Sequence, residues 1–475
     1  MTRANHRRYL SAAGLALLLS GCALTADHAA LPTANADQVR QLSKAVAGTP
    51  AEHPGATWWT AFEDARLNRL IEQALAHNHD LAAAALRLDA QLARLDISRD
   101  QLRPQGGLAG SLNLSREQTA GSGTQVTRQE NMALGLSADW QLDLFGRLRA
   151  RIRQAEAELD DRHAAQAEVR AEVVSGVVTT YARLAGTEEQ LALLDQQLVS
   201  LEESLTVLRL RVEEGLETPL ELNRAQALQH EYRARRPELD QARAGYVAAL
   251  ATLAGLNAEQ LRSHTAGSRL PAPSALTPAL ENPGLALTEA PELRRARARV
   301  ARTMALSDEA RAALYPEVSL TGVLGWLSGS SLDLGDAREQ LAIRPQLRWS
   351  LLNLSALRSG LKAAQLEEQA VLAEYEKTLL QVLNRADQAV QGWDARGRRL
   401  TELNTRQQFA GQAFEQARAR YEEGTLPYMD FLDAQRDLLE SEASLVQARS
   451  EWLEGYAELQ RAFPGNWANL LTVNG

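Results

Sequence analysis

The chain has 475 residues and a formal net charge of −9, which argues against a nucleic-acid-binding protein because such a protein needs a basic face. Hydrophobic residues make up 45% of the sequence and charged residues 23%, a composition typical of a folded rather than a disordered chain. The single cysteine excludes a disulfide within the chain.

Residues 1–21 have the pattern of a signal peptide. Three arginines give it a basic start, at Arg3, Arg7 and Arg8, and an apolar run ends at Leu19. Leu19-Ser20-Gly21-Cys22 then resembles the box at which bacterial lipoproteins are cleaved and acylated. We expect lipidation of Cys22 and a lipidated leader over residues 22–56; a free thiol behind an ordinary secretory signal is the alternative. Ala23 after the cysteine, by the same resemblance, implies the Gram-negative outer membrane.

A helical pattern follows the leader. Apolar residues recur at spacings of three and four from Leu67 to about Leu102, which predicts one helix with Asp64 or a neighbour as its cap. His77 and His79 fall near the middle of this helix. A spacing of two places them about 200° apart, so we interpret them as surface histidines rather than metal ligands.

The apolar period then changes to two. Every second residue from Met132 to Leu142 is apolar, which predicts a strand, and residues 108–114 give a weaker companion. Residues 318–326 and 341–351 repeat the pattern. We therefore predict strand hairpins over 105–142 and 317–351. Their four strands, of about ten residues each, are long enough to cross a membrane when tilted.

Each hairpin is followed by a very long helix, predicted over 146–213 and 357–422. The last part of each helix carries an apolar seam with the 3.5-residue period of a coiled coil. The first seam is Leu191, Leu194, Leu198, Leu201, Leu205, Leu208 and Val212, and the second is Leu400, Leu403, Gln407, Ala410, Phe414, Ala417 and Tyr421. Both seams end at Glu-Glu-Gly and a nearby proline, which predicts a tight reversal into a return helix. The tips span 214–220 and 423–429.

The chain is internally duplicated. Trp140 and Trp349 are 209 positions apart (349 − 140), as are Gly215 and Gly424. The first structural repeat covers 57–262 and the second 286–465. A proline-rich connector over 263–285 joins them, and a tail over 466–475 follows.

The predicted strands constrain the assembly. Four strands with a lipid-facing stripe leave two open edges, and hydrocarbon does not tolerate their unpaired backbone groups. One chain cannot close the wall, so copies must complete one another. A symmetric trimer would supply twelve strands, although the sequence does not fix the number three.

The whole pattern resembles the TolC-like outer-membrane channels of tripartite efflux pumps, in particular the NodT-like lipoprotein branch. The most specific segments are DWQLDLFGR at 139–147, YPEVSLTG at 315–322 and the two tip motifs. The resemblance implies a mainly α fold with a transmembrane β part. In it a trimeric barrel of long coiled-coil α-hairpins continues into a 12-stranded β-barrel with four strands per chain. The resemblance implies a homotrimer whose partners are a periplasmic adaptor protein, an inner-membrane transporter of RND type and outer-membrane lipid. It implies no nucleic-acid partner.

The resemblance also implies a periplasmic gate at the tips. Asp430 and Asp433 match acidic gate positions of the family, whose equivalents in the first repeat are Glu221 and Arg224. Some relatives carry an acidic residue two positions after the tip glycine, where this chain has Leu426, so we include Leu426 in the candidate gate. For Asp430 the alternative is a carboxylate that stabilises a helix N-terminus. The residues expected to contact the adaptor are Gly215, Gly424, Glu213, Glu214, Glu422 and Glu423.

The chain departs from the family at one further point, and it lacks the motifs of common enzymes. Leu354-Ser355-Ala356 stands where the family has a glycine-containing turn from strand to helix. The sequence has no phosphate-binding loop, nucleophile elbow or Cys–His pair, so we expect neither an enzyme nor a cofactor. We predict a passive outer-membrane exit channel for small solutes. The alternatives are a type I protein-secretion duct and a coiled-coil lipoprotein scaffold without a pore.

Overall fold

The computed structural model describes residues 28–33, 37, 39–42, 55–119, 125–265, 270, 283–328 and 338–464. A 3₁₀ segment (Gly55–Phe62) precedes α1 (Ala65–His77), α2 (His79–Asp100), β1 (Gln105–Thr119) and β2 (Gln125–Leu142). Then come α3 (Arg147–Glu213), α4 (Pro219–Ala254), α5 (Ala258–Thr265), α6 (Pro283–Thr288) and α7 (Pro291–Ala312). The order ends with β3 (Glu317–Ser328), β4 (Arg338–Arg348), a 3₁₀ turn (Leu351–Asn353), α8 (Leu354–Glu422) and α9 (Tyr428–Ala462). Cys22, the signal peptide and most of the connector lie outside the described residues.

The chain divides into two compact units. The first comprises 1–32, 87–162 and 295–376 and holds the four strands with the helical parts that adjoin them in sequence. The second comprises 33–86, 163–294 and 377–475 and is helical in its described part. No helix among the described residues has the length and apolarity needed to cross a membrane.

In the first unit the strands form one antiparallel sheet in the order β1-β2-β3-β4. The four strands are confirmed, but the predicted length of about ten residues is too short for the first hairpin, where β1 has 15 residues and β2 has 18. The alternation of apolar residues fades toward the ends of these strands, so the period understates their length. β1 and β4 are the edges of the sheet within one chain.

The prediction of one helix from Leu67 to Leu102 is wrong, because the helix is interrupted at Asn78. This residue is extended, with φ −67° and ψ 128°. Its side chain accepts hydrogen bonds from the Asp80 and Leu81 amides and donates one to the Leu253 carbonyl. His77 therefore ends α1 and His79 begins α2. Asp64 does cap α1, since its carboxylate accepts from the amides of Arg66 and Leu67.

The core of the second unit consists of aromatic rings from the first 3₁₀ segment and the apolar faces of α1, α3, α4 and α9. Trp58 and Phe62 both contact Tyr456, with ring centroids 6.0 and 5.6 Å apart. The first predicted coiled-coil seam is confirmed, with Leu205 and Leu208 fully buried in α3. In the second seam, Leu400, Phe414 and Tyr421 are buried and the other four predicted positions are partly buried. Burial of these side chains along continuous helices of 67 and 69 residues supplies the partners that such lengths require.

Candidate functional site

Both tips of the second unit are built in the same way. Gly215 and Gly424 have positive φ values of 74° and 72°. The amides of Leu216 and Thr425, one residue later, donate to carbonyls five residues back, those of Arg211 and Arg420. This double turn is the Schellman motif, which needs a left-handed residue at its glycine. The backbone thus reverses at two equivalent points of the duplicated chain.

The first tip continues into a capping box. The Thr218 hydroxyl accepts from the Leu220 amide at 3.3 Å and contacts the Glu221 carboxylate three residues on. This hydrogen bond from Thr218 holds the pKa of Glu221 below its ordinary value. Glu221 therefore helps to cap the N-terminus of its own helix, α4.

The second tip lacks this box. The equivalent of Thr218 is Pro427, which has no hydroxyl and makes no side-chain cap. Asp430 stands at the position of Glu221, and its carboxylate is exposed without a hydrogen bond or ion pair to the described residues. Asp433 lies one turn further along α9 and is likewise exposed. The two predicted gate residues therefore place two exposed carboxylates near the N-terminus of α9, neither of them paired within the described residues.

The other predicted tip residues have distinct surroundings. Leu426 is half-buried and packs against the apolar cluster beneath the tips rather than standing free in solvent. The Arg224 guanidinium lies 3.1 Å from the Met429 sulfur, so it joins the two tips next to Asp430. Of the expected adaptor contacts, the glutamates are exposed at Glu213, Glu214, Glu422 and Glu423, and Glu422 pairs with Arg418.

An aromatic cluster lies beneath the second tip. Tyr421 stacks on Phe431 with centroids 5.1 Å apart, and Tyr428 packs edge-on against Tyr421 at 5.5 Å. The Arg211 guanidinium covers the other part of Tyr421, 4.6 Å from the ring centroid. The hydroxyls of Tyr421 and Tyr428 are buried without a hydrogen-bond partner in the described part of the chain. Burial raises the pKa of both phenols, so they remain neutral at physiological pH.

The sheet of the first unit has one apolar face. Its register aligns Leu108 with Leu136, Leu136 with Leu324, and Leu324 with Leu341, one row across all four strands. The large apolar side chains exposed on this face are Leu108, Leu112, Leu114, Leu134, Leu136, Trp140, Leu324, Trp326, Leu341, Ile343 and Leu347. The opposite face carries mainly small or polar residues, with Val323 and Leu327 as apolar exceptions by the strand register, and its Asp139 accepts from the Thr321 hydroxyl at 2.9 Å. A contiguous apolar face of this size requires a cover other than water.

Two tryptophans tie the strand ends to the helices that precede them. The Trp140 indole N–H donates to the Leu102 carbonyl at 2.8 Å, and the Trp349 indole donates to the Leu314 carbonyl at 3.1 Å. The sequence paired these tryptophans by duplication but gave no sign of their acceptors. A half-exposed indole N–H at a strand end needs one polar partner, but both the exposure and the partner are visible only in the structure.

The described part of the chain has no candidate metal site, but it does contain a cavity. Within these residues no group of three or more His, Cys, Asp or Glu side chains is arranged to hold a metal ion. A cavity of about 280 Å³ does lie beside the aromatic cluster, bordered by Ser204, Arg211 and Phe414 among others.

Comparison with known proteins agrees with this geometry. The family model described as outer membrane efflux protein matches residues 70–256 and 282–464, which is most of both repeats. The toluene efflux pump outer membrane protein TtgC of Pseudomonas putida is 27% identical, with 96% of this chain and 95% of the relative covered. Nodulation protein T of Rhizobium leguminosarum is 26% identical over 94% of this chain and 95% of its own length. The solved outer-membrane channel OprN superposes with a TM-score of 0.87 at 29% identity, covering 94% of this chain and 100% of that structure.

Proposed function

The chain belongs to the outer membrane efflux protein family, and we propose from this that three copies form a passive duct through the outer membrane. The observation that carries the proposal is the open-edged sheet with one apolar and one polar face. Lipid would cover the apolar face and water the polar face. Unpaired edges in β1 and β4 would be satisfied by the next copy, because hydrocarbon offers no hydrogen bonds.

We also propose partners and cargo. Lipidation of Cys22 would anchor the leader in the outer membrane. An adaptor in the periplasm would contact the exposed tips at Gly215, Gly424 and the four flanking glutamates, and an inner-membrane transporter of RND type would supply the energy. TtgC is named for toluene efflux, which supports small organic solutes as the cargo of this chain. The apolar sheet supports a pore over a scaffold, since a periplasmic scaffold has no use for a lipid-facing surface.

The test is conductance of the purified mature protein in planar bilayers. We expect discrete conducting steps with a preference for cations, since Asp430 and Asp433 would ring the entrance. The double substitution Asp430→Asn with Asp433→Asn should raise conductance and weaken the cation preference. A matched control neutralises two carboxylates of the same tip, Glu422→Gln with Glu423→Gln, and should leave both properties unchanged.

Three outcomes would contradict parts of the proposal. Absence of any conductance from a folded, membrane-inserted protein would support the scaffold. Equal traces for the Asn pair and the native protein would move the constriction elsewhere. For the anchor, Cys22→Ser should abolish incorporation of labelled palmitate, and undiminished labelling would refute acylation at this residue.

A further inference from the structure

One residue of the leader is held by two distant carboxylates within the first unit. The His28 Nδ1 lies 2.9 Å from the Glu368 Oε1, and its Nε2 lies 3.3 Å from the Asp308 Oδ1. Asp308 belongs to α7 and Glu368 to α8, which are 280 and 340 positions away from His28 in sequence. The Glu368 side chain is only 9% exposed and that of His28 22%. The contact between His28 and Glu368 is therefore largely buried rather than a contact between two exposed surface side chains.

The number of protons on these three side chains determines whether both contacts of His28 are hydrogen bonds. A neutral imidazole has one N–H and one acceptor nitrogen, whereas an ionised carboxylate can only accept. If His28 were neutral between two ionised carboxylates, one nitrogen lone pair would face an oxygen lone pair. Both contacts become hydrogen bonds only when the cluster holds one additional proton, with both nitrogens donating or with Glu368 protonated. In either case the docked leader binds one proton more than a free leader with a neutral histidine.

The surrounding charges do not remove this requirement. Arg153 of α3 donates to the second oxygen of Asp308 at 2.8 Å, so that oxygen already has a partner and leaves Oδ1 to face His28. The neighbouring Glu309 is already engaged by Arg151 at 2.7 Å, with Arg147 3.8 Å away. Glu367 borders a cavity of about 380 Å³ beside α7 and is exposed. No cation in the described residues pairs with Glu368, so the proton on the His28–Glu368 pair is the charge that satisfies it.

We propose that His28, Asp308 and Glu368 form a proton-dependent clasp that fixes the leader to α7 and α8. The clasp is closed when the cluster carries its additional proton and opens as the pH rises and the cluster loses that proton. A one-proton difference changes the ratio of docked to free leader by up to about tenfold per pH unit. The leader is then held to α7 and α8 at lower pH and released at higher pH.

The position of the clasp sets how far the anchor can reach. His28 is six positions after Cys22, and an extended chain spans about 3.3–3.6 Å per residue, so the backbone of Cys22 stays within roughly 20 Å of that of His28. This consequence rests on the proposed acylation of Cys22, whereas the clasp itself does not. A closed clasp would hold the lipid close to the wall of its own chain.

The test measures leader mobility with a nitroxide label in the full mature chain in lipid nanodiscs. Ala30→Cys in a Cys22→Ser background places the label on an exposed residue two positions after His28. We expect an immobilised spectrum at pH 5 and a mobile spectrum at pH 8. His28→Ala should give the mobile spectrum at both pH values.

The discriminating variant is Glu368→Gln. A glutamine amide can donate to the bare nitrogen of a neutral imidazole while the other nitrogen donates to Asp308, so docking no longer needs the additional proton. The label should then stay immobilised at both pH values. Glu367→Gln makes the same charge change one residue away and should retain the native pH response. Equal mobility of the native leader at pH 5 and pH 8, or a native response in Glu368→Gln, would overturn the clasp. Because mobility is read without conductance, a closed pore and an absent clasp give different results.

Discussion

Replacing Tyr428 by phenylalanine should stabilise the second tip. The ring is 2% exposed and packs against Tyr421 and Phe431, contacts that phenylalanine retains. Its hydroxyl is buried and lacks a partner in the described residues, and an unsatisfied buried polar group costs about 1–3 kcal/mol. Removing the oxygen recovers part of this cost. We expect a gain of about 1–2 kcal/mol, which corresponds to about 5- to 30-fold slower local opening.

Hydrogen exchange of the amides over residues 421–432, followed by mass spectrometry, measures this opening. Tyr456→Phe is the matched control, because Tyr456 is also buried in α9 but its hydroxyl is hydrogen-bonded to Gln460. The same substitution there should destabilise by about 0.5–1.5 kcal/mol. Exchange at the second tip that is unchanged or faster in Tyr428→Phe would refute the reasoning.

The pH dependence of the same variant gives a second readout. Burial raises the pKa of Tyr428 above that of a free phenol, which is about 10. The opened state therefore loses its proton first as the pH rises, and the native tip is weakened above about pH 10. The advantage of Tyr428→Phe should grow in that range and stay constant below it.

Three other changes have defined outcomes. Gly215→Ala and Gly424→Ala should each lower the stability of their tip by about 1–2 kcal/mol, because the added Cβ has room but alanine is strained in the left-handed backbone conformation. The measurement is faster hydrogen exchange of the tip amides. Trp140→Phe and Trp349→Phe should each lower the free energy of unfolding by about 0.5–1.5 kcal/mol, additively in the double variant, since each loses one indole hydrogen bond. Burial by itself would raise the pKa of Glu309, but the hydrogen bonds and charges of neighbouring groups, chiefly Gln154 and Arg151, outweigh burial and hold that pKa below its ordinary value. Glu309→Gln should therefore destabilise at pH 7, and in denaturant titrations the difference from the native protein should shrink as the pH falls below the ordinary glutamate pKa and vanish only below the lowered pKa of Glu309.

The helices and strands could be predicted because their physical cause is periodic. Apolar residues recur every 3.5 residues in α3, where they are buried, and every second residue in β2, where they form the exposed apolar face of the sheet, and both periods are visible in a single sequence. The tip reversals were equally accessible, since Gly215 and Gly424 occupy positions that other residues adopt only with strain.

The structure contains three features that the sequence could not reveal, because each depends on one side chain meeting a distant partner. At the break, Asn78 caps α2 locally through the Asp80 and Leu81 amides and also donates to the Leu253 carbonyl, 175 positions away. The acceptors of Trp140 and the carboxylates around His28 are similarly remote in sequence. Hydrophobic periodicity does not predict such single contacts. Asn78 in particular lies within a stretch whose apolar residues otherwise have the helical period.

The two repeats keep their apolar and glycine positions while their polar caps diverge. In the first repeat Asp143 accepts from the Leu148 and Arg149 amides beside Gly146, which has a positive φ of 79°. The equivalent of Asp143 in the second repeat is Leu352, which is fully exposed at the 3₁₀ turn before α8. The helix start is retained, but the carboxylate that caps it is not.

The same divergence bears on the proposed gate. Glu221 closes a capping box with Thr218 and is committed to its own helix, whereas Pro427 leaves Asp430 without that partner. A carboxylate that merely stabilised a helix end would be expected with its cap, as in the first repeat. Asp430 keeps the negative charge of Glu221 but has no N-cap hydroxyl as its partner, and Asp433 adds a second exposed carboxylate one turn away. This asymmetry favours the second tip as the place where negative charge acts on solutes, and it predicts that Glu221→Gln changes helix stability more than conductance.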